Sequence, residues 1–231
     1  MKSQIANRID FVRLPRKSIE QRVTGMLRDL IVSGELAEGT PLVQRDLAHR
    51  IGVSQTPVRI GLSELARDGL VEVTETGRAL VSRLTREDLE EIYAARLGLE
   101  GLAARVGAAA LNDDGIKRMH ELMRELERLA KKRDVYAYLL ARWDFHAICY
   151  QASGRTRLVN EVGRLFWRAE RYNRLVLSTA ARFRRSVGYY RAFLAACETR
   201  NGDAAERVIH ESMRQTVADL APSLPSEAET A

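Results

Sequence analysis

The sequence has no long apolar run and no apolar leader. No segment approaches the roughly 18 consecutive apolar residues that span a bilayer. Residues 1–10 alternate polar and apolar side chains instead of forming the apolar centre of a secretory signal. We therefore expect a cytoplasmic protein with no membrane partner.

Cysteine and catalytic motifs are equally scarce. Cys149 and Cys197 lie in segments of helical apolar spacing and form no CxxC pair, which favours two buried small side chains over a disulfide or a metal pair. The sequence shows no nucleophile–base pair, Gly-rich phosphate loop or metal-ligand cluster. We predict no catalytic residues and no cofactor. An enzyme built on the helical region is the less favoured alternative.

Positive charge is in excess but is spread along the chain. The net charge is +6, of which residues 1–80 carry +2. This balance suits a polyanionic partner. Because the excess is not concentrated in one region, nucleic-acid binding has to follow from the local arrangement of residues.

The first part of the chain, residues 1–82, consists of short elements that glycine and proline interrupt. Ser18 and Gln21 have the spacing of a capping box, and Thr56 followed by Pro57 is typical of a helix start. The apolar patterns predict three helices and then two strands: 19–33, 43–50, 58–67, 70–74 and 79–82. This order predicts a winged helix-turn-helix.

The second part, residues 83–220, has the pattern of long amphipathic helices. Six are predicted, at 85–111, 113–132, 134–153, 156–179, 183–200 and 203–220. They form an all-α bundle that would bind an effector and dimerise. Residues 221–231, with two prolines and few apolar groups, are expected to be a disordered tail. The predicted fold class is mainly α.

A winged helix-turn-helix places the start of its third helix in the major groove. Here that start offers hydroxyl groups and backbone N–H groups for phosphates, an amide suited to adenine and an arginine suited to guanine. A glycine lets the hairpin tip approach DNA. The predicted DNA contacts are Arg45, Ser54, Gln55, Thr56, Arg59, Gly77 and Arg78. The alternative is a small helical core with no nucleic-acid partner.

The ordered motifs resemble one family over nearly the whole chain. The run from Gly34-Glu35-Leu36 through Ser54-Gln55-Thr56-Pro57-Val58-Arg59 to Asp68-Gly69-Leu70-Val71 resembles the GntR family of regulators. Tyr93, Arg96, Leu99 and Glu100 resemble the start of its FadR-type C-terminal domain, the FCD domain. The resemblance implies a homodimer on a palindromic operator. Gln55 stands where the family usually has arginine, which puts the preferred base there in question.

Many relatives in this family hold a divalent metal on one Asp and three His, and the metal binds a carboxylate effector. The matching positions here are Arg142 for the Asp, then His146, Tyr190 and Ser212 for the three His. His210 would replace Ser212 only if the alignment shifted by two residues. One imidazole beside an arginine is a poor cation site, because several N and O ligands must converge on a metal. The prediction is that no metal binds.

An arginine can instead bind a carboxylate directly through two N–H groups. The predicted effector-binding residues are Arg96, Arg142, His146, Tyr190, Ser212 and, as an apolar wall, Trp167. The alternative is that His146 is an ordinary core histidine and that Arg142 extends to solvent. The predicted function is a ligand-responsive repressor that a small anionic metabolite releases from an inverted repeat. A regulator that senses a long acyl or other apolar ligand is the alternative.

Overall fold

The computed structural model describes residues 18–177, 179–226 and 228 of the chain. The first part contains three helices and a hairpin: α1 Ile19–Ser33, α2 Gln44–Ile51, α3 Gln55–Arg67, β1 Val71–Val73 and β2 Ala79–Val81. The predicted capping box is present, because the Ser18 hydroxyl accepts a hydrogen bond from the Gln21 N–H at 3.3 Å and the Gln21 side chain accepts one from the Ser18 N–H at 3.1 Å.

The predicted start of the third helix was wrong by about two residues. Ser54, not Thr56, is the cap residue, so Thr56 lies inside the first turn and Pro57 at the third helical position. The first four N–H groups of any helix lack a partner within it. Proline therefore fits any of these positions, and its presence alone did not determine the register.

The hairpin pairs antiparallel, with Val71 opposite Val81 and Val73 opposite Ala79. The turn contains Gly77 at φ 78°, in the left-handed region that glycine reaches without a steric cost. Backbone hydrogen bonds from Leu42 to Ala79 (2.8 Å) and from Val81 to Thr40 (3.0 Å) attach the segment before α2 to β2.

The second part is a bundle of long helices. Their bounds are α4 Arg86–Ala110, α5 Asp113–Lys132, α6 Val135–Ala152, α7 Thr156–Val176, α8 Ala180–Glu198 and α9 Gly202–Leu220. Helix α8 begins three residues before the predicted position because the Thr179 hydroxyl accepts a hydrogen bond from the Arg182 N–H at 3.3 Å and caps it there. The mainly helical fold class and the order of elements are confirmed.

Each part has its own hydrophobic core. The smaller core joins α1, α2, α3 and the hairpin through residues such as Leu27, Val58 and Leu65, while the larger fills the bundle around Phe145, Tyr150 and Cys149. Both cysteines are buried and neither forms a disulfide.

Residues 221–226 correct the expectation of a disordered tail. Ala221–Ser223 form a 3-10 helix, Leu224 is buried, and the Pro225 carbonyl accepts a hydrogen bond from the Arg86 N–H at 3.0 Å. Burial of the apolar Leu224, together with hydrogen bonds from Arg86, holds this segment against the start of α4. In the described ranges 18–177 and 179–226, no helix has both the length and the apolar character needed to cross a bilayer.

Candidate DNA-binding surface and ligand cavity

Helix α3 buries one face and exposes the other. Val58, Leu62 and Leu65 are buried against the small core, so the opposite side, including Gln55, Thr56 and Arg59, faces solvent. Residues three and four apart share a helix face. The predicted base-reading residues are therefore together on one exposed surface.

The start of α3 is free to bind an anion. The Ser54 side chain makes no capping hydrogen bond, so the first backbone N–H groups keep their donors for an external acceptor. Arg59 is exposed and forms no ion pair among the described residues. The surface presents amide, hydroxyl and guanidinium donors, which suits a nucleic-acid backbone and base edges.

A groove next to the hairpin brings three further predicted residues together. Arg45, at the start of α2, lines this groove with Gly77 and Arg78 of the hairpin turn. The Arg45 side chain is 80% exposed, and its contact to Asp46 at 3.1 Å is a surface pair of small energetic value. Both cations are thus available to phosphates.

The bundle encloses a small cavity, and five of the six predicted effector residues line it. Arg96 comes from α4, Arg142 and His146 from α6, Tyr190 from α8 and Ser212 from α9. The cavity has about 30 Å³ of space for water-sized molecules, which holds one or two waters. A metabolite of several heavy atoms therefore requires side chains or helices to move.

Trp167 is not a cavity wall, which corrects that prediction. It is half-buried and packs against Trp143 and Phe166, with ring centres 6.3 and 5.7 Å apart. The adjacent residue Phe166 lies on the inner face instead, with its ring centre 5.4 Å from the Arg96 guanidinium and 5.8 Å from that of Arg142. One residue of displacement rotates a side chain by about 100° around a helix, which separates the two.

Two buried carboxylates were not predicted as partners in this site. Glu100 accepts from Arg96 Nε at 2.8 Å and from the Tyr150 hydroxyl at 2.7 Å. Glu170, on α7, accepts from Arg142 Nη1 at 3.0 Å. The spacing of Arg96 and Glu100 on one helix face was a signal for the first pair. Only folding reveals the second, because its partners are 28 residues apart.

Each buried arginine at the cavity is paired with a buried carboxylate, so their charges balance. Burial opposes the charge of Arg142, but Glu170 and Tyr190 outweigh it and raise the pKa of Arg142. Burial also raises the pKa of Glu170, an effect that Arg142 and Arg96 partly offset. Arg142 is therefore firmly cationic, and Glu170 takes up a proton more readily than an exposed glutamate does.

His146 stands out because its ring is neutral and incompletely bonded. Burial, and then the nearby Arg142 and Arg96, hold its pKa well below the ordinary value. Its Nδ1 atom is buried and has no hydrogen-bond partner among the described residues. Such groups are rare in folded proteins and mark a place where a ligand or a water completes the bonding.

The donor set does not fit the divalent metal that relatives hold. Among the described residues, no group of three or more His, Cys, Asp or Glu side chains is arranged to hold a metal. The cavity supplies one imidazole, while the carboxylate that lines it, Glu100, and the buried Glu170 behind Arg142 are both bound to guanidinium groups. His210 does not line the cavity, since its Nε2 contacts the Leu97 carbonyl oxygen at 2.8 Å. The alignment that matches Ser212, and not His210, to the third histidine position is therefore retained.

Two family models cover both parts of the chain. The model described as "Bacterial regulatory proteins, gntR family" matches residues 19–81, and the FCD domain model matches residues 91–215. The chain belongs to the GntR family of regulators with an FCD domain. It is a DNA-binding transcriptional regulator, and the resemblance drawn from the sequence motifs is confirmed.

Known relatives agree over nearly the full length. The HTH-type transcriptional regulator McbR of Escherichia coli is 23% identical over 210 residues, which cover 90% of this chain and 95% of that protein. Its solved structure superposes with a TM-score of 0.80 over 90% of this chain and 99% of McbR. The gluconate operon transcriptional repressor of Bacillus licheniformis is 26% identical over 206 residues, covering 86% of this chain and 84% of the repressor. The winged helix-turn-helix followed by a helical domain is therefore a shared architecture.

Proposed function

We propose that this protein is a transcriptional repressor that binds an inverted repeat as a homodimer and is released when a small anionic metabolite enters the cavity of its helical domain. The observation that carries the proposal is the convergence of Arg142, His146, Tyr190 and Ser212 on one cavity. These are the four positions at which metal-binding relatives place their ligands.

On the DNA side, the proposal assigns a role to each exposed group. Gln55 and Arg59 read base edges, Ser54, Thr56 and the start of α3 bind phosphates, and Arg45, Arg78 and the tip at Gly77 contact the backbone beside the groove. Phosphate contacts set position and register, while base contacts select the sequence.

On the effector side, a guanidinium replaces the metal as the cation. Arg142 has a fork of N–H donors that fits a carboxylate, and Ser212 and the open Nδ1 of His146 complete the polar lining. A long acyl ligand has less support, because the apolar part of the lining encloses only a small space and buried charged groups lie beside it.

The space next to the cavity also favours an anion. An adjoining space of about 40 Å³ shares Arg142 and Ser212 with the cavity and is lined by Arg182 and Arg185 of α8. Both arginines lie against a single carboxylate, that of Asp219. One positive charge therefore remains in excess in this adjoining space, which attracts anions.

The test is a titration of the protein–DNA complex with small carboxylates. An operator is first selected from a random DNA library by the wild-type protein, and fluorescence anisotropy then measures release. Gluconate is one probe, since a relative represses a gluconate operon, and glucose is its uncharged counterpart. We expect release by a carboxylate, not by its neutral counterpart, and no effect of EDTA.

Two variants locate the response. The operator affinity of Arg142→Met is measured first without ligand, and added carboxylate is then expected to cause no further release. Arg191→Met is the matched control, because Arg191 follows Tyr190 on α8 but is exposed and pairs with Glu127. Release that depends on added Zn²⁺, or a full response in Arg142→Met, would contradict the proposed site.

A further inference from the structure

Helix α7 presents one face to the cavity region and the opposite face to the DNA-binding domain. Phe166 and Glu170, four residues apart, lie on the inner face beside Arg142. The other face carries three arginines at spacings of four and three residues: Arg164, Arg168 and Arg171. The same rigid element therefore contacts the candidate effector site and the first domain.

The arginine face is attached at two places in the DNA-binding domain. Arg171 donates to the Ser82 hydroxyl at 2.6 Å and also to the Ser82 carbonyl, directly after β2. Arg168 lies over Gly69, where an added Cβ would meet its Nε at 2.7 Å. Arg164 is 3.8 Å from Asp68 at the end of α3. The residues that directly follow α3 and β2 are therefore both in contact with α7.

This junction is incompletely bonded. Among the described residues, the buried side-chain atoms without a hydrogen-bond partner are Nδ1 of His146 and the Nε atoms of Arg28, Arg168 and Arg174. Arg168 and Arg174 are on α7, and Arg28 pairs with Asp68. An unsatisfied buried donor costs free energy in the arrangement that contains it.

Glu170 occupies the site on Arg142 that an anionic effector needs. Its carboxylate is fully buried, accepts from Arg142 at 3.0 Å and accepts from Asn173 at 2.9 Å. Arg142 also donates to the Tyr190 hydroxyl at 2.6 Å. Because the cavity has space for only one or two waters, a carboxylate that binds this guanidinium from the cavity competes with the groups that already bind it.

We propose that Glu170 is an internal competitor of the effector, and that its displacement from Arg142 shifts α7 and thereby the DNA-binding domain. This inference rests on the proposed function, since it assumes an anionic ligand at Arg142. A ligand changes the DNA affinity only if it favours one arrangement of the two domains over another. The Arg142–Glu170 contact exists in the arrangement described here, and binding of the effector carboxylate to Arg142 removes it.

The decisive experiment needs no ligand. Glu170→Ala and Glu170→Gln break or weaken the contact and are expected to lower operator affinity by about tenfold, within the range typical of coupled sites. Glu127→Ala is the matched control: Glu127 also joins two helices by pairing with an arginine, Arg191, at 2.7 Å, but away from the cavity. Wild-type affinity in both Glu170 variants would overturn the inference.

Hydrogen exchange separates a displaced α7 from general unfolding. In Glu170→Gln, faster exchange is expected in α7 and at residues 82–88, with α5 unchanged. Faster exchange throughout the bundle would show a merely structural role.

A double-mutant cycle tests the route. Arg171→Gln disconnects α7 from Ser82, so Glu170→Ala should have little further effect in that background. Additive losses would overturn transmission through this face. If no carboxylate releases the wild type, the proposed effector class fails on its own, and the ligand-free Glu170 result is still decisive for the coupling.

Discussion

At the scale of single residues, the two candidate sites differ in how their charges are used. Arg59 on α3 is exposed and has no ion-pair partner among the described residues, while Arg96 and Arg142 are each held by a buried carboxylate. An unpaired exposed arginine is ready for a polyanion that comes to it. A buried arginine that is already paired binds a new anion by exchanging its present carboxylate partner for it.

Arg59→Ala is expected to remove specific binding without unfolding the protein. It deletes a base-directed donor worth about 1–3 kcal/mol per half-site. Anisotropy with the selected operator and a scrambled sequence measures the loss. Arg67→Ala, at the far end of the same exposed helix, is the control. Unchanged operator affinity in Arg59→Ala would show that another surface reads the DNA.

Arg45→Ala is expected to weaken binding to all sequences and to flatten its salt dependence. Loss of one phosphate contact reduces the slope of log K against log[salt] by about 0.9. Titrations at several salt concentrations measure the slope. A slope equal to that of the wild type would place Arg45 away from the backbone.

His146 is expected to make folding stability sensitive to acid. Its folded-state pKa lies well below the ordinary value of 6.5. Its contribution to folding stability is therefore fully present above pH 6.5 and is lost as the pH falls from 6.5 towards the folded-state pKa. Below pH 6.5 the unfolded chain binds a proton that the folded chain does not bind. The free energy of unfolding therefore falls by up to about 1.4 kcal/mol per pH unit. Urea unfolding between pH 7 and 5 should show a shallower decline in His146→Gln. His49→Gln, at an exposed position, should decline like the wild type.

At the scale of secondary-structure elements, close helix contacts depend on particular small residues. A Cβ at Gly107 on α4 would lie 2.0 Å from the Cys149 carbonyl oxygen on α6. These two helices carry Arg96 and Arg142, which both line the cavity. By contrast, a Cβ at Gly188 on α8 meets nothing within 4 Å.

Gly107→Ala is therefore expected to lower the free energy of unfolding by about 1–3 kcal/mol, because overpacking forces two helices apart. Gly188→Ala should raise it by about 0.5–1 kcal/mol, since alanine is the better helix former. Urea unfolding followed by circular dichroism compares the two. Equal effects would mean that α4 and α6 are not in this close contact in solution.

At the scale of the whole molecule, two cores are joined by more than a linker. Val32, the penultimate residue of α1, is packed with the larger core, and α7 contacts the first domain along its arginine face. The bundle is therefore in direct contact with the first domain, which is the contact that the proposed coupling requires. The division at residues 82–83 remains a prediction about domain boundaries.

The protein is expected to be a homodimer held mainly by its helical domain. One recognition helix reads only a few base pairs, and a second copy supplies the missing affinity and register. Light scattering should give twice the mass of the 231-residue chain, and a single half-site should bind much more weakly than the inverted repeat. A monomer at micromolar concentration with full operator affinity would contradict this.

The sequence by itself determined the elements and the family. The Ser18 capping box starts α1, and Gly34 at φ 81° ends it. Both act on neighbouring backbone groups, so the sequence alone predicts them. The long motifs identified the family. Aligned positions also placed Arg142, His146, Tyr190 and Ser212 in one cavity.

Only the tertiary structure decided how these groups are paired. The contact between Arg142 and Glu170, the outward position of Trp167 and the docking of Leu224 depend on which helices meet and at what rotation. No periodic pattern encodes a partner 28 residues away on another helix. The sequence predicted a cation in place of the metal, and folding supplied the buried carboxylate of Glu170 that pairs with it.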